Sequence, residues 1–256
     1  MKRPSPLATF VAVFQGNLPR LLQLRGWVLA ALPLVIVVGG LLVSILLRLN
    51  GTPMGAEAPW ALFRLGLAPV MVPIMALVAA PAGIREDLEQ RVLPFLLVRP
   101  IPVWVLPLAR GAGWFLWGGV WLGLAALGLG GLGLPVLMPF LALLLAYWAE
   151  LAFLSLLGLV FRRGTLWGVL ALFLWDPLVR FLPGRLQWFT FIHHLEALAG
   201  PPSSGQVRGL LEQAPMTTSI LASALVLLVF GGICWALAGW KLQVTSIGLS
   251  GGEGEG

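Results

Sequence analysis

Long apolar runs constrain this chain more than any other feature of its sequence. Between residues 111 and 161 the one charged residue is Glu150. These roughly fifty residues exceed the about twenty that cross a bilayer as a single helix. The Gly-rich sequence GLGGLGLP at 128–135 therefore predicts a hairpin between two spans. Charged residues make up 10% of the chain, against about 25% in a soluble domain, so we expect an all-α, polytopic integral membrane protein.

The other apolar runs bring the expected number of transmembrane helices to six. The expected spans are residues 27–47, 62–83, 103–127, 136–161, 165–176 and 217–240. The fifth should be short or kinked, because Asp176-Pro177 interrupts it. The chain then divides into a cytoplasmic interfacial helix at 1–26, a six-helix domain at 27–242 with an outer segment at about 181–215, and a flexible cytoplasmic tail at 243–256.

An amphipathic pattern precedes the first span. Spacings of three and four residues place Leu7, Phe10, Val11 and Phe14 on one helical face, and basic residues accompany them. This pattern predicts a helix that lies in the membrane interface and meets anionic lipid headgroups. Three prolines in the same stretch leave a disordered tail as the alternative.

The distribution of basic residues predicts the orientation of the chain. Six spans place both termini on one side, and eleven of the 16 Lys and Arg residues fall there. They are Lys2, Arg3, Arg20, Arg25, Arg85, Arg91, Arg99, Arg110, Arg162, Arg163 and Lys241, against Arg48, Arg64, Arg180, Arg185 and Arg208 on the other side. The positive-inside rule therefore predicts cytoplasmic termini, and it explains the net charge without a nucleic-acid partner. Abundant Leu, Ala, Gly, Arg and Pro, with two Lys, indicate a GC-rich prokaryotic genome. The expected location is therefore the cytoplasmic membrane of a prokaryote.

Several kinds of chemistry are not expected in this chain. A phosphate-binding loop needs the pattern G-x-x-x-x-G-K-[ST], but Arg3 follows Lys2 and Leu242 follows Lys241. The chain should therefore not hydrolyse ATP by that route. Cys234 is the single cysteine, which excludes an intramolecular disulfide.

The charged segment at 84–111 is where the sequence favours a protein partner. Acidic residues open it, an apolar half follows, and Arg99-Pro100 should end a helix. We expect a short amphipathic helix at about 84–99 on the membrane surface. An ordinary solvated loop is the alternative.

The same segment resembles a motif of ABC-2-type transporter permeases. After the second membrane helix, that family reads roughly E-x-E-x-G-T-L-x-x-L-L-x-x-P, and a basic residue then opens the third helix. Aligned on the proline, the Gly-Thr pair is replaced here by Arg91-Val92. The residues expected to couple to an ATPase are Glu86, Asp87, Glu89, Leu93, Leu96, Leu97, Pro100 and Arg110.

The resemblance implies a permease subunit of an ATP-driven exporter. It implies two permease copies, which we expect to form a homodimer, and two copies of a separate cytoplasmic ATPase subunit. ATP and Mg²⁺ would bind to that partner, and this chain itself would hold no cofactor or metal. The helix at 84–99 would be the coupling helix, and the outer segment would form partly re-entrant helices. Membrane lipid is the remaining expected partner.

Residues within the spans are candidates for a transport path. Glu150 lies mid-span, where a charge costs about 2.5–3.5 kcal/mol on insertion scales and usually faces a partner or a cavity. Asp176, close to Arg180 in sequence, is expected to cap the outer boundary or form an ion pair. Trp114, Trp117 and Trp121 recur at spacings of three and four, and they either line a hydrophobic path or form a packed helix face.

Three alternative functions are also compatible with the sequence. An ion-coupled secondary transporter would use Glu150 and Asp176. A membrane enzyme would use His193, His194 and Glu196, although no further His is present to complete a metal site. An ABC complex could also do mechanical work on an envelope lipid or protein.

Overall fold

The computed structural model describes residues 5–51, 58–80, 102, 104–161, 163–180, 185–200 and 219–251, and these form helices joined by turns, with no strand among them. Among these described residues, five helices are long and apolar enough to cross a membrane. They are α2 (Leu24–Leu49), α3 (Ala58–Ala79), α4 (Val105–Gly130), α5 (Leu137–Val160) and α8 (Ile220–Gly251). The expectation of an all-α, polytopic membrane protein is confirmed.

The remaining helices are shorter. The first, α1, covers Pro6–Leu21, with the hydroxyl of Ser5 accepting a hydrogen bond from the backbone N–H of Ala8. The helix α6 begins with Gly164–Val169 and continues through Leu170–Trp175 and Asp176–Arg180. A 3₁₀ turn at Arg185–Phe189 leads to α7 (Phe191–Ala199). The apolar part of α6, Gly164–Val179, is shorter than the five membrane-length helices.

Prolines widen two of these helices. Residues Leu62–Met71 of α3, which contain Pro69, and residues Leu170–Trp175 of α6, which precede Pro177, are π-helical. The backbone N–H of Asp176 accordingly bonds to the carbonyl of Ala171, five residues back. A proline ring clashes with the carbonyl four residues earlier, and a wider turn relieves that clash. The helix α6 therefore continues past Asp176-Pro177.

The hairpin between α4 and α5 lies where it was expected, whereas the last helix is longer than expected. The hairpin between α4 and α5 lies where the glycines predict it, and Gly133 has a φ of 105°, a backbone region that favours glycine. The last helix extends to Gly251, eleven residues beyond Trp240, where the sixth span was expected to end.

The helix α5 lies at the centre of the fold. It contacts α3, α4, α6, α7 and α8. Tyr147 on α5 donates a hydrogen bond to the carbonyl oxygen of Trp114 on α4 at 3.1 Å, and its ring lies against Gly118. In the contact between α5 and α8, Gly231 of α8 lies against the indole of Trp148. Glycines thus allow the helices on two sides to approach α5 closely.

The helix α1 packs against α4 with a buried asparagine in the contact. Asn17 is buried, its Nδ2 donates to the carbonyl oxygen of Arg110 at 3.2 Å, and it lies against Gly113. Leu7, Val11 and Leu18 are exposed. The packed face of α1 is therefore partly polar, and exposed apolar residues lie elsewhere on the helix.

Candidate functional site

The candidate site is centred on Glu150, near the middle of α5. Glu150 is the fourteenth of the 24 residues of this helix, about 20 Å along its axis from Leu137. Its side chain is 2% exposed. Its Oε2 is buried and has no hydrogen-bond partner in the part of the chain that the structure describes. Because five other helices contact α5, this carboxyl group lies inside the helix bundle.

A second buried carboxyl group, that of Asp176, lies close enough to Glu150 to interact with it electrostatically. The Oδ1 of Asp176 accepts the backbone N–H of Phe191 at 2.9 Å, and its Oδ2 accepts that of Ile192 at 3.2 Å. These N–H groups belong to the first turn of α7, which has no partners for them within the helix. Asp176 therefore caps α7 from α6, and its negative charge suits the positive end of the helix.

The other end of α7 contacts a cation. Arg64 of α3 donates from Nη2 to the carbonyl oxygen of Gly200 at 2.7 Å, and its guanidinium lies 5.5 Å from the ring centroid of Trp60. A cation is favourable at a helix C-terminus, where carbonyl groups are left without helical partners. α7 is thus fixed at both ends by charged side chains from two other helices.

Three phenylalanine rings pack together beside this arrangement. Phe153 of α5 lies 6.0 Å from Phe191 of α7 and 5.9 Å from Phe230 of α8, measured between ring centroids. Phe191 and Phe230 are 5.5 Å apart. Since Phe153 follows Glu150 by three residues, the two side chains lie on neighbouring positions of one helix face.

His194, one of the two adjacent histidines, is held by hydrogen bonds on both of its ring nitrogens. His194 is buried, its Nε2 lies 2.9 Å from the carbonyl oxygen of Trp188, and its Nδ1 lies 3.3 Å from Oγ of Ser223. A carbonyl only accepts, so Nε2 carries the proton and Nδ1 accepts from the Ser223 hydroxyl.

Burial favours neutral histidine at this position. It lowers the pKa of His194, although the hydrogen bond to Trp188 opposes the shift. Burial and the neighbouring His194 ring lower the pKa of His193. Both nitrogens of His194 are engaged, and no group of three potential metal ligands occurs among the described residues. The arrangement is that of a tether between α7, α8 and the 3₁₀ turn.

The three tryptophans of α4 lie in aromatic packing. Trp114 is buried in the core. The Nε1 of Trp117 donates to the carbonyl oxygen of Gly26 at 3.0 Å, and its ring is 5.6 Å from that of Trp121. Both rings also pack against Trp27, at centroid distances of 6.0 Å and 6.3 Å. Trp117 and Trp121 therefore join α4 to the start of α2. Glu150, the other residue expected on a transport path, lies on a different helix, α5.

Most of the expected coupling residues lie outside the described residues. These are Glu86, Asp87, Glu89, Leu93, Leu96, Leu97 and Pro100. Arg110 lies in the second turn of α4, is 8% exposed, and has Asn17 of α1 bonded to its carbonyl oxygen. The motif's basic position is therefore where α1 meets α4.

Comparison of the chain with protein-family models, with curated proteins and with solved structures gives no match in any of the three. The resemblance of residues 87–110 to ABC-2 permeases stays a prediction. The function is therefore proposed from the residues and their geometry.

Sequence reasoning singled out Glu150 and Asp176 but missed the contacts that organise the segment around them. Neither the bond from Arg64 to Gly200 nor the role of Ser223 follows from a local pattern. Both join residues far apart in the sequence, and Ser223 stands in an apolar run with no motif around it. The hydroxyl of Ser223 within an apolar span was the one available signal. A buried hydroxyl requires a hydrogen-bond partner, so its presence indicates a polar group on a neighbouring helix.

Proposed function

We propose that this chain is the membrane-spanning permease subunit of an ATP-driven ABC transporter of the ABC-2 type, and that it exports its substrate. It acts as a homodimer with two copies of a separate cytoplasmic ATPase subunit, which binds ATP and Mg²⁺. The complex resides in a prokaryotic cytoplasmic membrane, with both termini in the cytoplasm.

The proposed topology has six spans, with α6 as the fifth. Its 17 residues, counted from Gly164 to Arg180, reach about 25 Å at 1.5 Å per residue. The hydrocarbon core is about 30 Å thick, and shorter helices are accommodated by local thinning of the bilayer. In this topology α7 is a re-entrant helix on the outer side, and α1 and the segment at 84–99 lie together on the cytoplasmic side.

One observation carries the proposal: the acidic and leucine-rich motif stands between the second and third membrane-length helices, α3 and α4. Its basic position, Arg110, lies near the start of α4 and beside α1. The motif and the N-terminal helix can therefore form one cytoplasmic docking surface for an ATPase.

The mechanism follows from this placement. Closure of the ATPase dimer around ATP displaces the two docked helices of each permease. Because packed helices switch between discrete arrangements rather than bending continuously, the displacement rocks the membrane halves as rigid bodies. ATP drives the switch only through its different affinity for the two states.

The test is affinity purification of the detergent-solubilised chain from its native host, followed by identification of the proteins that accompany it. An ATPase subunit should accompany the wild type and be lost from Asp87→Arg/Glu89→Arg. The control is Glu253→Arg/Glu255→Arg, which reverses two acids at the same spacing in the C-terminal tail and should retain the ATPase. Absence of an ATPase from wild type under mild conditions would refute the proposal.

A second candidate function is ion-coupled transport, and the buried pair of carboxyl groups, Glu150 and Asp176, favours it. Intramembrane acids commonly form proton relays in pumps and transporters. This function predicts substrate movement by the isolated chain in vesicles under an ion gradient and without ATP. ATP-dependent transport by the complex, with none by the chain alone, would exclude it.

A further inference from the structure

One oxygen of the Glu150 carboxyl group, Oε2, lacks among the described residues a partner that its burial requires. A buried carboxylate needs a positive group or several hydrogen-bond donors, and a neutral carboxylic acid needs an acceptor for its proton. In the described residues neither is supplied to the buried Oε2 of a side chain that is 2% exposed. Oε2 of Glu150 is thus available to bind a ligand that supplies a positive charge or a hydrogen bond.

The neighbouring polar groups make this position unsuitable for an anion. In transporters with broken helices, the positive N-terminal end of a half-helix binds anionic substrate groups near the middle of the membrane. Here both carboxylate oxygens of Asp176 occupy that end of α7. Asp176 is also close enough to interact electrostatically with Glu150. The local chemistry is therefore acidic, and the nearby helix end is already neutralised by the chain itself.

The aromatic neighbours distinguish between classes of cation. An inorganic ion such as Ca²⁺ takes six to eight oxygen ligands, and the described residues contain no group of three acidic, His or Cys side chains that could hold a metal. An organic cation needs one carboxylate and apolar or aromatic walls, whose ring faces attract positive charge. Phe153 lies one helical turn from Glu150, and its ring packs against that of Phe191, whose backbone N–H bonds to Asp176. Aromatic rings are therefore the side chains next to this acidic pair along both α5 and α7.

We propose that Glu150 binds the positive charge of an amphipathic organic cation, and that this cation belongs to the substrate class of the transporter. The inference rests on the proposed function, because it assigns the substrate of that same permease. The described conformation encloses Glu150, so the substrate enters and leaves when α6 and α7 move relative to α5 during the ATP-driven rocking of the membrane halves.

The experiment uses the purified permease–ATPase complex in lipid vesicles and two probes of matched shape, the cation tetraphenylphosphonium and the anion tetraphenylborate. Tetraphenylphosphonium should bind to the wild-type complex and stimulate its ATP hydrolysis, and tetraphenylborate should do neither. Glu150→Gln, which preserves size and removes the charge, should weaken binding of the cation about tenfold or more, as expected when a buried charge loses its partner.

Two further variants make the result specific. Glu150→Asp keeps the charge and should bind the cation more tightly than Glu150→Gln. Glu196→Gln, a control on α7, should bind it as wild type does. Equal binding of the two probes by wild type, or equal affinity of wild type and Glu150→Gln for the cation, would overturn the inference; the first comparison needs no variant to fold.

The remaining outcomes separate this inference from the proposed function. If no ATPase accompanies the chain, the proposed function fails and the complex cannot be assembled. If the complex hydrolyses ATP but tetraphenylphosphonium neither binds nor stimulates, the assignment of substrate class alone is wrong. A rate that responds to pH through Glu150 but not to the cation would identify the proton as the ligand and would also overturn the assignment.

Discussion

Asp176 of α6 joins this helix to α7, which follows it in the chain. Its two carboxylate oxygens accept N–H groups of Phe191 and Ile192, fifteen and sixteen residues further along the chain. The sequence predicts a capping or ion-pairing role for this acid, and the structure shows that it caps α7. The partner could not be predicted, because the capping residue lies on a different helix. The contact forms only when the chain brings the start of α7 back to Asp176.

Substitution of Asp176 should loosen the start of α7. In Asp176→Ala the two N–H groups lose a charged acceptor, which should destabilise the closed state of this turn by about 1–3 kcal/mol. Hydrogen exchange at the amides of Phe191 and Ile192 should therefore accelerate by roughly tenfold to a hundredfold in detergent. Asp176→Asn keeps one side-chain oxygen and should give an intermediate rate. Unchanged exchange in Asp176→Ala would show that the cap does not hold the helix.

At the scale of helices, the sequence predicted where the apolar elements lie because each must cover a bilayer with about twenty residues. The expected span 136–161 and the observed Leu137–Val160 differ by one residue at each end. The π-helical turns in α3 and α6 were not predicted, since a proline can kink, end or widen a helix and the surrounding packing decides among these.

Two adjacent glycines of α8 give a matched test of how this helix packs. A methyl group at Gly231 would collide with the indole of Trp148 on α5, whereas one at Gly232 would meet no other atom within 4 Å. Gly231→Ala should therefore destabilise the protein by about 1–3 kcal/mol through overpacking. Gly232→Ala should be neutral or stabilise it by up to about 1 kcal/mol, because alanine favours a helix.

The measurement is the thermal midpoint of each variant in one detergent. Gly231→Ala should unfold at a lower temperature than wild type, and Gly232→Ala at the same or a higher one. A shared midpoint for the two variants would contradict the contact between α8 and Trp148. Trp148→Phe, combined with Gly231→Ala, should recover part of the loss, because a smaller ring leaves room for the methyl group.

For the whole molecule, the decisive question is whether α6 crosses the membrane. The hydrogen bonds from the start of α7 to Asp176 bring the chain back to α6, which allows two topologies. If α6 crosses, the chain has six spans and α8 begins on the outer side. If α6 and α7 together enter and leave on one side, five spans remain and the C-terminus lies on the outer side. Charge counting does not separate the two. Six spans place eleven of the 16 basic residues on the side of the N-terminus. Five spans place thirteen there, because Arg180, Arg185 and Arg208 join that side and Lys241 leaves it.

Cysteine accessibility separates these topologies, because the single native Cys234 is buried and its replacement by alanine gives a background without exposed thiols. On that background, Gln15→Cys in α1, Asn50→Cys after α2 and Ser219→Cys before α8 each introduce a thiol at an exposed position. In intact cells a membrane-impermeant maleimide should label positions 50 and 219 and should reach position 15 after permeabilisation. If position 219, like position 15, is labelled only after permeabilisation, α6 does not cross the membrane. The C-terminal tail would then lie outside the cell. The N-terminus and the charged segment at 84–99 would still share the side that holds thirteen of the 16 basic residues, so the argument that places this segment beside an ATPase does not depend on whether α6 crosses.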